Sequence, residues 1–149
     1  MFPPPSPCFF VPLLVACKDA QLFNATIGDP SWQSEWELLA VLVSLRIFAE
    51  ELNGGWVALE SDNTATLQAA LDFRASSPLM LALAAEVSLE LEANSLELQF
   101  AHHIRGVANY EADALSRLSL GAAIPARLQA VPRRSVPRRD RSWYRAWPA

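Results

Sequence analysis

Cysteine is almost missing from the chain: Cys8 and Cys17 are the only two in 149 residues. They make neither a disulfide framework nor a metal-finger spacing, and they read as incidental thiols of a reducing compartment. Also missing is any uncharged apolar stretch of the ~18–20 residues that a bilayer crossing needs. The longer apolar regions carry Glu or Arg, so no contact with a membrane is expected. Basic residues are scarce through residue 116, where Lys18, Arg46, Arg74 and Arg105 face fifteen acids, a balance of −11. From Arg117 onward the balance reverses to +7, with eight arginines against Asp140 alone. The net charge of −4 therefore hides a strongly basic tail, suited to phosphates or another acidic partner, or simply solvated.

Hydrophobic residues make up 52% of the chain, enough to fill one core and too many for chain-wide disorder. Residues 1–12 form a proline-rich leader that cannot hold a regular helix. The run from Phe9 to Cys17 has the look of a secretion signal, and Leu14-Val15-Ala16-Cys17 that of a lipoprotein cleavage box. No positive charge precedes the run and Pro12 interrupts it, both of which argue against a signal peptide. The domain proper is expected over 13–120, followed by an extended Arg/Pro-rich tail over 121–149.

Within the domain, a short helix is expected from Leu13 to about Asn24. A long one follows from a Ser31 cap to about Leu52, with apolar stripes on two faces that imply burial. Trp56–Ser61 reads as a strand, then come helices over about Thr64–Phe73 and, capped by Ser77 with Pro78 just inside, to about Ala93. Ser95 to about His102 alternates as a second strand, and Tyr110–Leu118 closes as a helix. Strands alternating with helices imply parallel pairing in an α/β fold, although two strands are few for a self-sufficient sheet.

Three acids stand out. Glu37 lies near the start of the most apolar helix, Asp62 just past the carboxyl end of a strand, and Asp113 in the first turn of the last helix. Plainer roles fit each of them: charge at a helix N-terminus for Glu37 and Asp113, an Asx turn or cap for Asp62. Taken together they lie near element ends that a parallel strand-helix arrangement brings to one sheet edge. Carboxylates clustered without nearby bases repel one another unless they hold divalent cations. Two such ions about 4 Å apart activate water for phosphodiester cleavage. His103, on a loop beside such a site, is placed to shuttle protons, although a surface histidine with no further role fits as well.

The segment His103-Ile-Arg-Gly-Val-Ala-Asn-Tyr-Glu-Ala-Asp113-Ala-Leu-Ser-Arg117 resembles the end of the ribonuclease H domain of retrotransposon reverse transcriptases, with Arg105 where a proline is usual. Glu37 in WELLAVLVSLRIF resembles the second catalytic acid of that family, and Asp62 in LESDNTATLQA the third. The resemblance runs over about residues 30–118. It implies a ribonuclease H-like α/β fold with Mg²⁺ or Mn²⁺ on Glu37, Asp62 and Asp113, and His103 as a mobile catalytic histidine. Ser61, Asn63 and Asn109 would border or shape a nucleic-acid groove, joined by Arg133, Arg134, Arg138 and Arg139 of the tail. The implied substrate is an RNA–DNA hybrid, and the implied wider partner the rest of a reverse transcriptase polyprotein. The family's opening antiparallel strands and first catalytic aspartate have no counterpart here, unless Phe9-Phe10-Val11 is a remnant of the third strand. A second reading is therefore a non-catalytic nucleic-acid-binding or partner-dependent remnant. In it Trp143, Tyr144 and Trp147 either stack on bases or fold back as a small apolar patch.

Overall fold

The computed structural model describes residues 17–52 and 54–147. The expected leader, the Phe9–Val11 remnant and the start of the first helix lie outside them. The first described element is α1 (Cys17–Phe23). Next comes a turn of 3-10 helix at Pro30–Trp32, capped by Asp29, whose side chain accepts a hydrogen bond from the Ser31 amide. That bond also pulls the Asp29 carboxyl below its ordinary pKa. The expected Ser31 cap of the long helix is not formed: a tight proline turn capped by Asp29 precedes that helix, and the residue immediately before it, Trp32, makes no side-chain cap bond.

Helix α2 (Gln33–Ile47) is interrupted at Phe48 and resumes as α3 (Ala49–Leu52), where one continuous helix was expected. Leu38, Leu39, Leu42, Val43 and Leu45 are buried and come from both predicted stripes, so α2 runs through the middle of the core. Strand β1 (Trp56–Ser61) leads to α4 (Thr64–Asp72), capped by Asn63, whose side-chain oxygen accepts from the Ala65 and Thr66 amides. Helix α5 (Pro78–Ala93) starts as its sequence predicts, with the Ser77 hydroxyl accepting from the Met80 amide. Strand β2 (Glu97–His103) and helix α6 (Tyr110–Ser116) follow.

Strands β1 and β2 pair in parallel, from Trp56 opposite Glu97 to Ser61 opposite His103, with a register shift between Val57 and Ala58. A parallel pair needs a crossover, and α4 with α5 provides it. Helix α4 packs on both strands, while α2 packs on α4 and α5. The fold is mixed α/β with a small parallel sheet, and the described strands form one pair. Each fully buried leucine in this core is worth about 1.5–3 kcal/mol of transfer free energy.

Beyond Gly121 the described chain has only short 3-10 turns and a single bridge residue, Arg133. Its last part nevertheless lies across the helices. Tyr144 is buried against Phe23, and Trp147 stacks on Phe23 at 5.1 Å, itself stacked on Trp36 at 5.4 Å. Of the two arrangements open to these aromatics, the structure has the apolar patch folded back on the domain.

Candidate functional site

The α2 N-terminus is stitched to the turn after β1. Ser34 and Asn63 side chains share hydrogen bonds of 3.0 and 3.3 Å, and the Thr66 hydroxyl donates to the Ser34 carbonyl at 3.3 Å. This joint carries Glu37 to the carboxyl end of β1. There the buried Ser61 hydroxyl donates to Glu37 Oε2 at 3.2 Å while accepting from the Asn63 amide at 3.0 Å. Gln33 Nε2 donates to the other oxygen, Glu37 Oε1, at 2.8 Å.

Asp62 comes next on the same rim. Asn109, at the start of α6, donates from Nδ2 to Asp62 Oδ1 at 3.0 Å. Gly106 lies so close that a Cβ there would approach Asp62 Oδ2 to 3.3 Å, which makes this loop position one where the missing side chain matters. Asp113, one helical turn past Asn109, is exposed and ion-paired to Arg117 at 2.9 Å.

Glu37, Ser61, Asp62, Asn109 and Asp113 all line one cleft of about 1580 Å³ between α2, β1 and α6. The other ionisable residues described on its wall are Glu51 and Glu60, so every charged side chain among the described lining residues is acidic, with Asp113 and Glu51 paired to Arg117 and Arg134 that lie outside the lining. Such a cleft repels phosphate unless cations are held there. The described residues contain no group of three Asp, Glu, His or Cys side chains near enough together to hold a metal ion. As they stand the three acids share a cleft but do not converge, each held by its own protein partner.

The remaining expected site residues lie apart. His103 is exposed at the end of β2, opposite Ser61 in register, and is not among the cleft-lining residues. Asn63 spends its side chain on the α4 cap and on Ser34. In the tail, Arg133 and Arg138 are exposed and Arg134 pairs with Glu51. Arg139 is buried, with Nε and Nη2 on the two Asp19 oxygens at 2.9 and 2.6 Å. Its guanidinium faces Asp19 rather than solvent, unlike those of Arg133 and Arg138.

Sequence reasoning missed Gln33 and Ser34, which orient the Glu37 end of the cleft, and a second polar network in the core. Glu86 and Glu90, one turn apart on α5, are fully buried. Glu86 accepts the successive amides of Ala146 and Arg145 at 2.6 and 2.9 Å. Glu90 takes Arg46 Nε at 2.7 Å and Arg145 Nη2 at 3.2 Å. Arg46 also stands over the Trp143 ring, 4.0 Å from its centroid, and donates to the Trp143 carbonyl. The available signal was a Glu pair at i,i+4 in an otherwise apolar helix, matched by Arg46 in another. Compared with protein-family models, curated proteins and solved structures, the chain matches none.

Proposed function

We propose that the chain is a ribonuclease H-like domain of retroelement origin, and that its site is the acidic end of the cleft beside β1. One observation supports this above others: Glu37, Asp62 and Asp113, far apart in sequence, line the same cleft. The proposed reaction is hydrolysis of the RNA strand of an RNA–DNA hybrid. The ions it requires, Mg²⁺ or Mn²⁺, would be held by these three carboxylates. The carboxylates do not fit an ion as arranged, and they would have to draw together first. What the chain itself contributes is orientation, through Ser61 and Gln33 on Glu37 and Asn109 on Asp62.

The engagement of Asp113 by Arg117 favours a second reading, a non-catalytic remnant that binds nucleic acid or depends on a partner. Incubating the purified chain with a labelled RNA–DNA hybrid and Mg²⁺ or Mn²⁺ separates the two. A nuclease cuts the RNA strand, and Asp62→Asn lowers the rate on the order of a hundredfold or more, the scale of lost metal stabilisation. No cleavage, or cleavage equal in Asp62→Asn, removes the catalytic reading and leaves the remnant.

A further inference from the structure

Beyond residue 120 the chain has two serines, Ser135 and Ser142, and no threonine. Ser142 is exposed, and arginines stand one, three and four residues before it: Arg141, Arg139 and Arg138. Ser135 has arginines only at the two positions just before it, and one of these, Arg134, is paired with Glu51. Ser142 sits in the turn of 3-10 helix at Arg141–Trp143, which Asp140 caps. One Asp140 oxygen accepts from the Ser142 amide at 3.0 Å and from the Ser142 hydroxyl as well. These bonds, the hydroxyl's foremost, hold the Asp140 carboxyl below its ordinary pKa, so it is charged at neutral pH.

The residues that follow attach the end of the tail to the helices. Trp143 lies under the Arg46 guanidinium at 4.0 Å, Tyr144 is buried, and the Arg145 and Ala146 amides donate to Glu86. A change at Ser142 is therefore made directly beside these attachments.

From this placement we propose that Ser142 is a phosphorylation site for an arginine-directed protein kinase, and that its modification loosens the end of the tail from α2 and α5. Such a kinase offers acidic groups to the arginines that precede the acceptor serine. The Ser142 hydroxyl oxygen attacks the γ-phosphorus of a nucleoside triphosphate and a new O–P bond forms. The bond from that phosphorus to the β–γ bridging oxygen breaks, the hydroxyl proton passes to the kinase's base, and the nucleoside diphosphate leaves. The esterified oxygen no longer donates to Asp140, and about −1.5 to −2 of charge now stands beside that carboxylate. Asp140 loses a donor and gains a repulsive neighbour, so the cap of the turn fails. Arg139 sets the order of events. Its guanidinium faces Asp19 in the folded chain, so a kinase reaches it only after the segment has lifted. Phosphorylation thus captures the lifted form and then favours it. The proposal is independent of the nuclease reading, since it needs neither the acidic cleft nor nucleic acid.

The test incubates the full chain with Mg²⁺-ATP and a purified serine kinase that requires arginine three residues before its acceptor. A synthetic peptide of residues 133–147 is the unfolded control. Mass spectrometry is expected to place one phosphate on Ser142, added about tenfold or more slowly in the chain than in the peptide. Amide exchange at Arg145 and Ala146 should then be about tenfold faster than in the unmodified chain, and a phosphatase should reverse this. The Glu97 and Ile104 amides, which bond to Gly55 and Ser61, should keep their protection. Ser142→Ala should take no phosphate and keep the slow exchange at Arg145 and Ala146. No phosphate on the folded chain, phosphate on Ser135 alone, or equal rates in chain and peptide overturns the proposal. So does phosphate on Ser142 with exchange at Arg145 and Ala146 unchanged, or with equal loss of protection at Glu97 and Ile104, which means general unfolding.

Discussion

Tyr144 shows how a single side chain can be well packed and poorly satisfied at once. Its ring sits edge-on to Trp143 at 4.9 Å and against Trp147 at 4.5 Å, while its buried hydroxyl has no hydrogen-bond partner among the described residues. Burial, and secondarily the Asp19 carboxylate, push the phenol well above its ordinary pKa of about 10. Since the folded value is raised, the unfolded chain releases this proton first. The stability Tyr144 contributes is therefore complete below about pH 10 and is lost as pH rises further. Tyr144→Phe is expected to leave stability within about 0.5 kcal/mol at pH 7, because it removes an unpaired hydroxyl and keeps the ring. Above about pH 10 the variant should outlast the parent, as measured by urea unfolding across pH. Parallel loss of stability in both proteins would show that the phenol is not responsible.

At the scale of elements, α5 depends on its N-cap residue, Ser77, more than its apolar sequence suggests. The Ser77 hydroxyl accepts from the Met80 amide at 3.1 Å and donates to Oε1 of the buried Glu35 on α2 at 2.8 Å. One hydroxyl thus caps a helix and satisfies a carboxylate on the helix packed beside it. Ser77→Ala is expected to cost about 2–4 kcal/mol, the sum of a lost cap and an under-satisfied buried acid. Ser77→Thr, which keeps the hydroxyl, should recover most of that loss in the same denaturation experiment. A cost of Ser77→Ala under about 1 kcal/mol would mean that Glu35 has found another donor.

For the whole molecule, the basic tail is a clasp as well as a charged segment. It closes Glu86 through the Arg145 and Ala146 amides and Glu90 through the Arg145 guanidinium, and it neutralises Asp19 through Arg139. Losing one partner of a buried ion pair costs about 3–5 kcal/mol, because the remaining charge stays desolvated. Removing residues 139–147 is expected to lower the melting temperature by about 10 °C or more, or to prevent folding, at the usual ratio for chains of this size. A tail that served only to neutralise phosphates would leave thermal unfolding unchanged, which differential scanning calorimetry would reveal. Arg133 and Arg138, exposed on the same segment, remain available to an acidic partner.

Local rules accounted for the elements. Asn63 before Thr64, Ser77 before Pro78 and alternation over Leu96–Phe100 are short-range patterns, and helices or strands begin close to where they point. The order of strands and helices was equally legible, because a parallel pair separated by two helices leaves little choice of topology. Asp62 and Asp113 were marked by their place at element ends. Their neighbours were not: the Ser34–Asn63 joint and the Gln33 and Ser61 bonds to Glu37 span contacts with no local signature. Nor does composition tell a solvated arginine from a buried one. Arg138 and Arg139 are adjacent in sequence, yet only Arg139 meets a carboxylate 120 residues away inside the core. Periodicity and capping act over a few bonds, so the sequence alone determines elements and their order. Which charges are desolvated, and which acids share a cleft, depends on distances that exist only after the helices have packed.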